Sequence, residues 1–126
     1  MTIQHQLDRF VDEAPDCSLV AFGDLSSGLI LNWSSQTLCP REVLDLLGQK
    51  AVECFALLQL DELPPNTDQT EFGASVIHFT ERGVQIFARH PANSDEVICA
   101  VCSWDAQLEP LLESVIDLAG KIEGMQ

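Results

Sequence analysis

Apolar positions along the chain predict three helices and five strands. They recur at helical spacing from Ile3 until Pro15, which ends the first helix. A longer helix is predicted over residues 41–59, with Pro40 at its first position. The other elements are strands at residues 17–22, 29–33, 74–80, 84–89 and 97–102, and a third helix at 108–122 with Asp105 as its N-cap.

The predicted elements follow the order α-β-β-α-β-β-β-α. A single sheet of five strands must then bury its two faces under helices, which places the chain in the α/β class as an α+β sandwich. Continuous apolar runs at 17–22 and 97–102 are typical of strands covered on both faces, so we expect these two at the centre of the sheet. A length of 126 residues suits one domain over residues 1–126.

The second helix carries more apolar surface than one sheet can cover. Its apolar positions span an arc of about 200°, roughly twice the stripe that packing on one sheet requires. Leu46 and Leu57 flank the surplus edge, with Lys50 beside them. Two interpretations stay open: the acidic loop at 61–71 or a neighbouring helix covers this edge, or the same helix of a second copy does. The polar positions on the remaining side are Glu42, Asp45, Gln49, Glu53 and Gln59.

Charge narrows the classes of partner. The chain has 20 acidic and 6 basic side chains, a formal net charge of −14, and its basic residues are scattered singly. Nucleic acid and anionic membranes are therefore poor partners, because binding to them depends on clustered Lys and Arg. A basic protein surface is the better electrostatic complement. We also expect no signal peptide and no transmembrane helix, since no apolar run approaches 18 residues.

The cysteines and histidines predict no metal, cofactor or catalytic site. Five cysteines without a framework spacing, in a chain lacking an export signal, indicate reduced thiols and a cytoplasmic location. Cys99 and Cys102 match C-x-x-C, but a separation of three on a strand sends the two side chains to opposite faces. His78 and His90 are expected to be surface or hydrogen-bonded residues. Gly28 belongs to the connection between two strands, which lacks the GK[ST] ending of a phosphate-binding loop. We therefore expect no enzyme.

Several of these stretches together resemble the Roadblock family of dynein light chains and their bacterial relatives. They are the strand Ser18-Leu-Val-Ala-Phe22, the turn and strand Asp24-Leu-Ser-Ser-Gly28-Leu-Ile-Leu, the long helix from Arg41, and Glu96-Val-Ile-Cys-Ala-Val-Cys102 before the last helix. The resemblance runs from Leu7 to about Ile122. It implies a profilin-like fold with the sheet order 2-1-5-4-3, the first and last helices on one face and the second helix on the other.

The resemblance also implies a function. Family members dimerise through the second helix and the third strand, and they act as non-enzymatic platforms for small Ras-like GTPases or for motor and signalling complexes. Combined with the surplus edge, this predicts a homodimer interface at Leu46, Lys50, Leu57, Val76, His78 and Thr80. The residues expected to contact a GTPase are Arg41, Glu42, Asp45, Gln49 and Glu53. The alternatives are a type III-class secretion chaperone and a small-molecule sensor domain.

Overall fold

The predicted order of elements is confirmed. The computed structural model describes residues 2–60, 75–89 and 95–121, and for residues 57–60 it describes only the backbone. The acidic loop at 61–71, His90 and Ile122 therefore lie outside the described residues. The elements are α1 (Ile3–Glu13), β1 (Cys17–Asp24), β2 (Leu29–Ser35), α2 (Arg41–Leu60), β3 (Ser75–Thr80), β4 (Gly83–Arg89), β5 (Glu96–Cys102) and α3 (Leu108–Lys121).

The five strands form one antiparallel sheet in the order β2-β1-β5-β4-β3. This is the order that the resemblance implied. β5 lies at the centre with β1 beside it, as their continuous apolar runs predicted. β2 and β3 are the two edge strands.

Two apolar clusters cover the two faces of the sheet. On one face, α1 packs over β1 and β2 while α3 packs over β4 and β5. On the other face, α2 packs mainly over β2 and β5 and buries Phe55 and Leu44 against Phe87 of β4. Cys102 belongs to the first cluster and Cys99 to the second, so the prediction that they point to opposite faces is confirmed.

The predicted ranges of α2 and α3 begin at the observed residues, but the residues expected to open or cap the two helices are displaced. α2 begins at Arg41, and Pro40 is the residue before it, whose carbonyl accepts hydrogen bonds from Val43 and Leu44. Asp105 as the N-cap of α3 is wrong. Asp105 lies in a turn that is closed by the hydrogen bond from the Ala106 N–H to the Ser103 carbonyl. An N-cap at Asp105 would start the helix at residue 106, but α3 begins two residues later, at Leu108.

The turn between β1 and β2 fixes how α2 approaches the sheet. Asp24 accepts hydrogen bonds from the Ser26 amide at 3.1 Å and from the Ser27 hydroxyl at 3.0 Å. Gly28 completes the turn with φ of 73°, a conformation that favours glycine. A Cβ on Gly48 of α2 would lie 2.3 Å from the Gly28 carbonyl oxygen. The helix therefore contacts the backbone of the turn directly.

Candidate functional site

The apolar arc of α2 is only partly used by the sheet. The side chains of Leu44, Leu47, Ala51 and Phe55 are buried. Beside them, Leu46 is 68% exposed and Val43 is 46% exposed. The prediction of a surplus apolar edge is confirmed for these described residues. We call Val43 and Leu46 the apolar flank of α2.

No described helix covers the apolar flank. α1 and α3 both pack on the opposite face of the sheet, so the interpretation in which a neighbouring helix folds over the flank is wrong for the described part of the chain. The acidic loop at 61–71, the other internal cover considered, lies outside it. Leu57 lies in the last turn of α2, but its side chain is also outside the described part.

The three predicted interface residues of β3 lie on the same face of the sheet as α2. Val76 pairs with Phe87 of the α2-side cluster, and His78 and Thr80 follow it at intervals of two. All three are half-buried. His78 Nδ1 lies 3.1 Å from Gln85 Oε1, a hydrogen bond that holds the ring against β4.

Among the described residues, the backbone of β3 has no strand partner on its outer side. β3 is an edge strand, and its Thr80 hydroxyl donates to the Gly83 carbonyl at 3.0 Å and accepts from the Arg82 and Gly83 amides. These bonds close the turn into β4 and fix the end of the edge. A strand from another molecule could extend the sheet here.

The predicted partner-binding residues of α2 are all exposed. Arg41 Nε and Asp45 Oδ1 form an ion pair of 3.1 Å, and the Arg41 guanidinium lies 5.9 Å from the centre of the Trp33 ring. Lys50 Nζ lies 3.2 Å from Glu53 Oε2, which joins a predicted interface residue to a predicted partner-binding residue. We call the exposed set Arg41, Glu42, Asp45, Gln49 and Glu53 the polar flank of α2.

A groove of about 720 Å³ lies alongside the apolar flank. Its walls are the first half of α2, the segment 37–40 and the turn between β3 and β4. Leu38 on this wall is 96% exposed and was missed by sequence reasoning, because a single apolar residue in a connection has no periodicity. Glu81 and Arg82 add one charge of each sign at the rim. The groove is therefore part of the same surface as the apolar flank.

An aromatic pair on the opposite face was also missed. Phe79 of β3 and Trp104 stack with ring centres 6.1 Å apart, and Trp104 Nε1 donates to the Glu81 carbonyl at 3.1 Å. Both rings are more than half exposed. Because side chains alternate along a strand, Phe79 and His78 point to opposite faces of the sheet. No pattern in the sequence indicates that Trp104 lies beside Phe79.

The surface offers little acid-base or nucleophilic chemistry. Burial raises the pKa of the Cys39 thiol, and it raises that of Cys54 despite the opposing charge of Lys50. Neutral thiols are poor nucleophiles. Within residues 2–60, 75–89 and 95–121, no group of three His, Cys, Asp or Glu side chains could hold a metal ion. None of the helices described there has both the length and the apolar composition needed to cross a membrane.

The sequence matches no protein-family model and no curated protein. Solved structures do match it in fold. A Roadblock/LC7 domain from Streptomyces avermitilis gives a TM-score of 0.70 at 12% identity, covering 94% of this chain and 92% of the other. Myxococcus xanthus MglB gives 0.63 at 16% identity, covering 93% and 87%. MglB has also been solved in a tetrameric arrangement.

A third similar structure is LokiProfilin2, solved in complex with rabbit actin. It gives a TM-score of 0.56 at 14% identity and covers 93% of this chain and 92% of the other. Roadblock/LC7 domains and a profilin thus share the sheet and helix arrangement described above. The resemblance drawn from the sequence is confirmed at the level of the fold, and the chain has the profilin-like fold of a Roadblock/LC7 domain.

Proposed function

We propose that this protein is a non-enzymatic homodimeric adaptor that binds a small Ras-like GTPase, or a signalling or motor complex, through its paired second helices. The observation that carries the proposal is the exposed apolar flank of α2 on the same face as the half-buried side chains of the β3 edge. The whole chain, residues 1–126, acts as one domain in this proposal, and its free thiols suit the cytoplasm.

A two-fold contact would satisfy both features at once. In such a contact the same patch serves both copies, so Leu46 and Val43 of one protomer would pack against the same flank of the other. The two β3 strands would pair antiparallel and join the two sheets, which covers the β3 edge of each protomer. Lys50, Leu57, Val76, His78 and Thr80 would lie within or beside this interface.

The solved structures of similar fold support protein partners. MglB is known in a tetrameric arrangement and LokiProfilin2 in complex with actin, so this fold serves association with proteins in both cases. Self-association through the apolar flank would bring the adjoining polar flanks of the two protomers close together. The secretion-chaperone alternative is less favoured because only two strands lie between α1 and α2. Chaperones of that class resemble a fold with three strands between the first two helices.

The first test is the solution mass of the wild type and of Leu46→Glu, measured by light scattering over a concentration series. The wild type should have about twice the 13.9 kDa chain mass. Leu46→Glu should be a folded monomer, because a buried carboxylate without a partner is strongly unfavourable at an apolar interface. Circular dichroism checks that the variant remains folded, as expected for a side chain that is exposed in the protomer.

Leu31→Glu is the matched control. Leu31 is a leucine of comparable exposure, 51%, on the opposite edge strand β2, so its substitution should leave the dimer intact. A wild type that is monomeric at every concentration, or a dimer that only Leu31→Glu disrupts, contradicts the proposed interface. A monomer would favour the small-molecule sensor, since the groove volume falls within the range of ligand pockets.

A further inference from the structure

Two cysteines that the proposed adaptor role does not use are paired between β1 and β5, at one end of these strands. Cys17 is the first residue of β1, Cys102 is the last residue of β5, and the two are register partners. Both side chains are buried in the cluster under α1 and α3. Cys99, three residues before Cys102, lies in the other cluster and cannot join them.

The hydrogen bonding around the pair defines its geometry. The Ser103 amide donates to the Asp16 carbonyl at 2.9 Å, so the bonded position is one residue outside the cysteines. Cys17 and Cys102 lie directly inside this bond, beside a register shift between Cys17 and Leu19. Opposite Cα atoms in antiparallel strands are about 4.5–5.5 Å apart. A disulfide needs Cα atoms roughly 4.4–6.8 Å apart. The register pairing of Cys17 with Cys102 is therefore compatible with a disulfide.

The two thiols share one apolar cluster and differ in acidity in the reduced protein. The neighbouring Cys102 side chain lowers the pKa of the Cys17 thiol, whereas the pKa of Cys102 itself is raised. Cys17 Sγ in turn lies 3.2 Å from the Leu19 carbonyl oxygen and donates to it. Cys17 is thus the thiol from which a thiolate forms more readily, and Cys102 is placed beside it.

We propose that Cys17 and Cys102 are a redox modification site that forms a reversible intramolecular disulfide between β1 and β5. The oxidant is a peroxide. The Cys17 thiolate attacks one peroxide oxygen and becomes a sulfenic acid, and the second oxygen leaves as hydroxide, which a proton converts to water. The Cys102 sulfur then attacks the Cys17 sulfur, the S–S bond forms and a second water leaves. Two thiols are oxidised and one hydrogen peroxide is reduced to two waters.

The location of the pair governs how it reacts. Each cysteine is a terminal residue of its strand, so opening of this end of the sheet exposes both without separating β1 from β5 along their length. The disulfide would close a loop that contains most of the chain. Such a link restricts the unfolded state strongly, so the oxidised form should melt at a higher temperature than the reduced form.

The test is oxidation of the folded wild type with hydrogen peroxide, followed by alkylation of the remaining thiols and mass spectrometry. The protein should lose two hydrogens, three of its five cysteines should be alkylated, and tandem spectra should link Cys17 to Cys102. Dithiothreitol should restore the reduced mass. A thermal melt of each form should show the higher midpoint for the oxidised protein.

Variants distinguish this pair from the other cysteines. Cys17→Ala and Cys102→Ala should each abolish the two-hydrogen loss, whereas Cys99→Ala should retain it, although Cys99 is equally buried on the same strand. Oxidation that links any other pair, such as Cys54 with Cys99, overturns the proposal. So does a wild type that remains reduced or is oxidised only to sulfinic acid, and this result does not depend on whether any variant folds.

Discussion

At the scale of single residues, a carboxylate organises the turn on which α2 rests. Asp24 accepts bonds from the amide and hydroxyl of Ser26 and from the hydroxyl of Ser27. Partial burial opposes ionisation of Asp24, but these hydrogen bonds outweigh it and its pKa is lowered. A lowered pKa in the folded state means that the ionised carboxylate stabilises the fold above the pKa of the unfolded chain, and that this contribution disappears as the pH falls.

Asp24→Asn tests this contribution. At pH 7 the variant should be about 0.5–1 kcal/mol less stable than the wild type, because one charged acceptor becomes a neutral amide. The difference should narrow as the pH falls through about 4 and below, where the wild-type carboxyl also becomes neutral. Urea unfolding at several pH values measures both effects.

Asp12→Asn is the control for the change in net charge. Asp12 is exposed on α1, so its substitution should change stability by less than about 0.5 kcal/mol. Equal effects of the two substitutions at pH 7 would contradict the role assigned to the turn bonds of Asp24.

At the scale of elements, α2 approaches the sheet more closely than a helix with ordinary side chains could. Its Gly48 lies over the carbonyl of Gly28, and Arg89 of β4 reaches the Phe55 ring of the same helix at 5.0 Å. The approach of Gly48 to Gly28 fixes the position of α2 against the turn between β1 and β2. It also determines which flank of the helix remains exposed.

Gly48→Ala should therefore destabilise the protein by about 1–3 kcal/mol, although alanine is the better helix former. Its Cβ would lie 2.3 Å from the backbone oxygen of Gly28, so the helix or the turn must move. Gly120→Ala in α3 is the matched control. No heavy atom of the described residues lies within 4 Å of the added Cβ, and stability should rise by about 0.5–1 kcal/mol. Thermal or urea unfolding of both variants measures whether each substitution lowers or raises the stability. A stabilised Gly48→Ala variant would show that the close contact is absent.

At the scale of the whole molecule, net charge and the apolar flank act in opposite directions. A charge of −14 makes two copies repel each other, so a homodimer must be held by apolar burial at Leu46 and by strand pairing at β3. The same negative charge attracts a partner with a basic surface. We expect such a partner to bind at the polar flank, which contains Glu42, Asp45 and Glu53.

The double variant Asp45→Lys and Glu53→Lys tests the polar flank. It should weaken binding of a GTP-loaded Ras-like GTPase from the same genome at least tenfold, measured by isothermal titration calorimetry, while light scattering shows an unchanged dimer. Little stability should be lost, since both residues form exposed ion pairs.

The control carries the same change of net charge on the opposite face. Glu109→Lys with Glu113→Lys alters exposed residues of α3 and should leave the affinity nearly unchanged. Equal weakening by both double variants would attribute binding to net charge and contradict the assignment to α2. No binding to any GTPase by the wild-type dimer would contradict the GTPase as the partner.

The sequence by itself determined the number, type and order of the elements, because hydrophobic periodicity and turn residues are local properties. It also indicated that α2 has too much apolar surface, and that Cys99 and Cys102 point apart. Tertiary structure decided which parts of that surface stay exposed, which cysteine pairs with Cys102 and whether Gly48 accepts a side chain. These depend on residues far apart in the chain, such as Cys17, Gly28 and Trp104, whose approach is set by sheet register and helix packing and leaves no periodic signal.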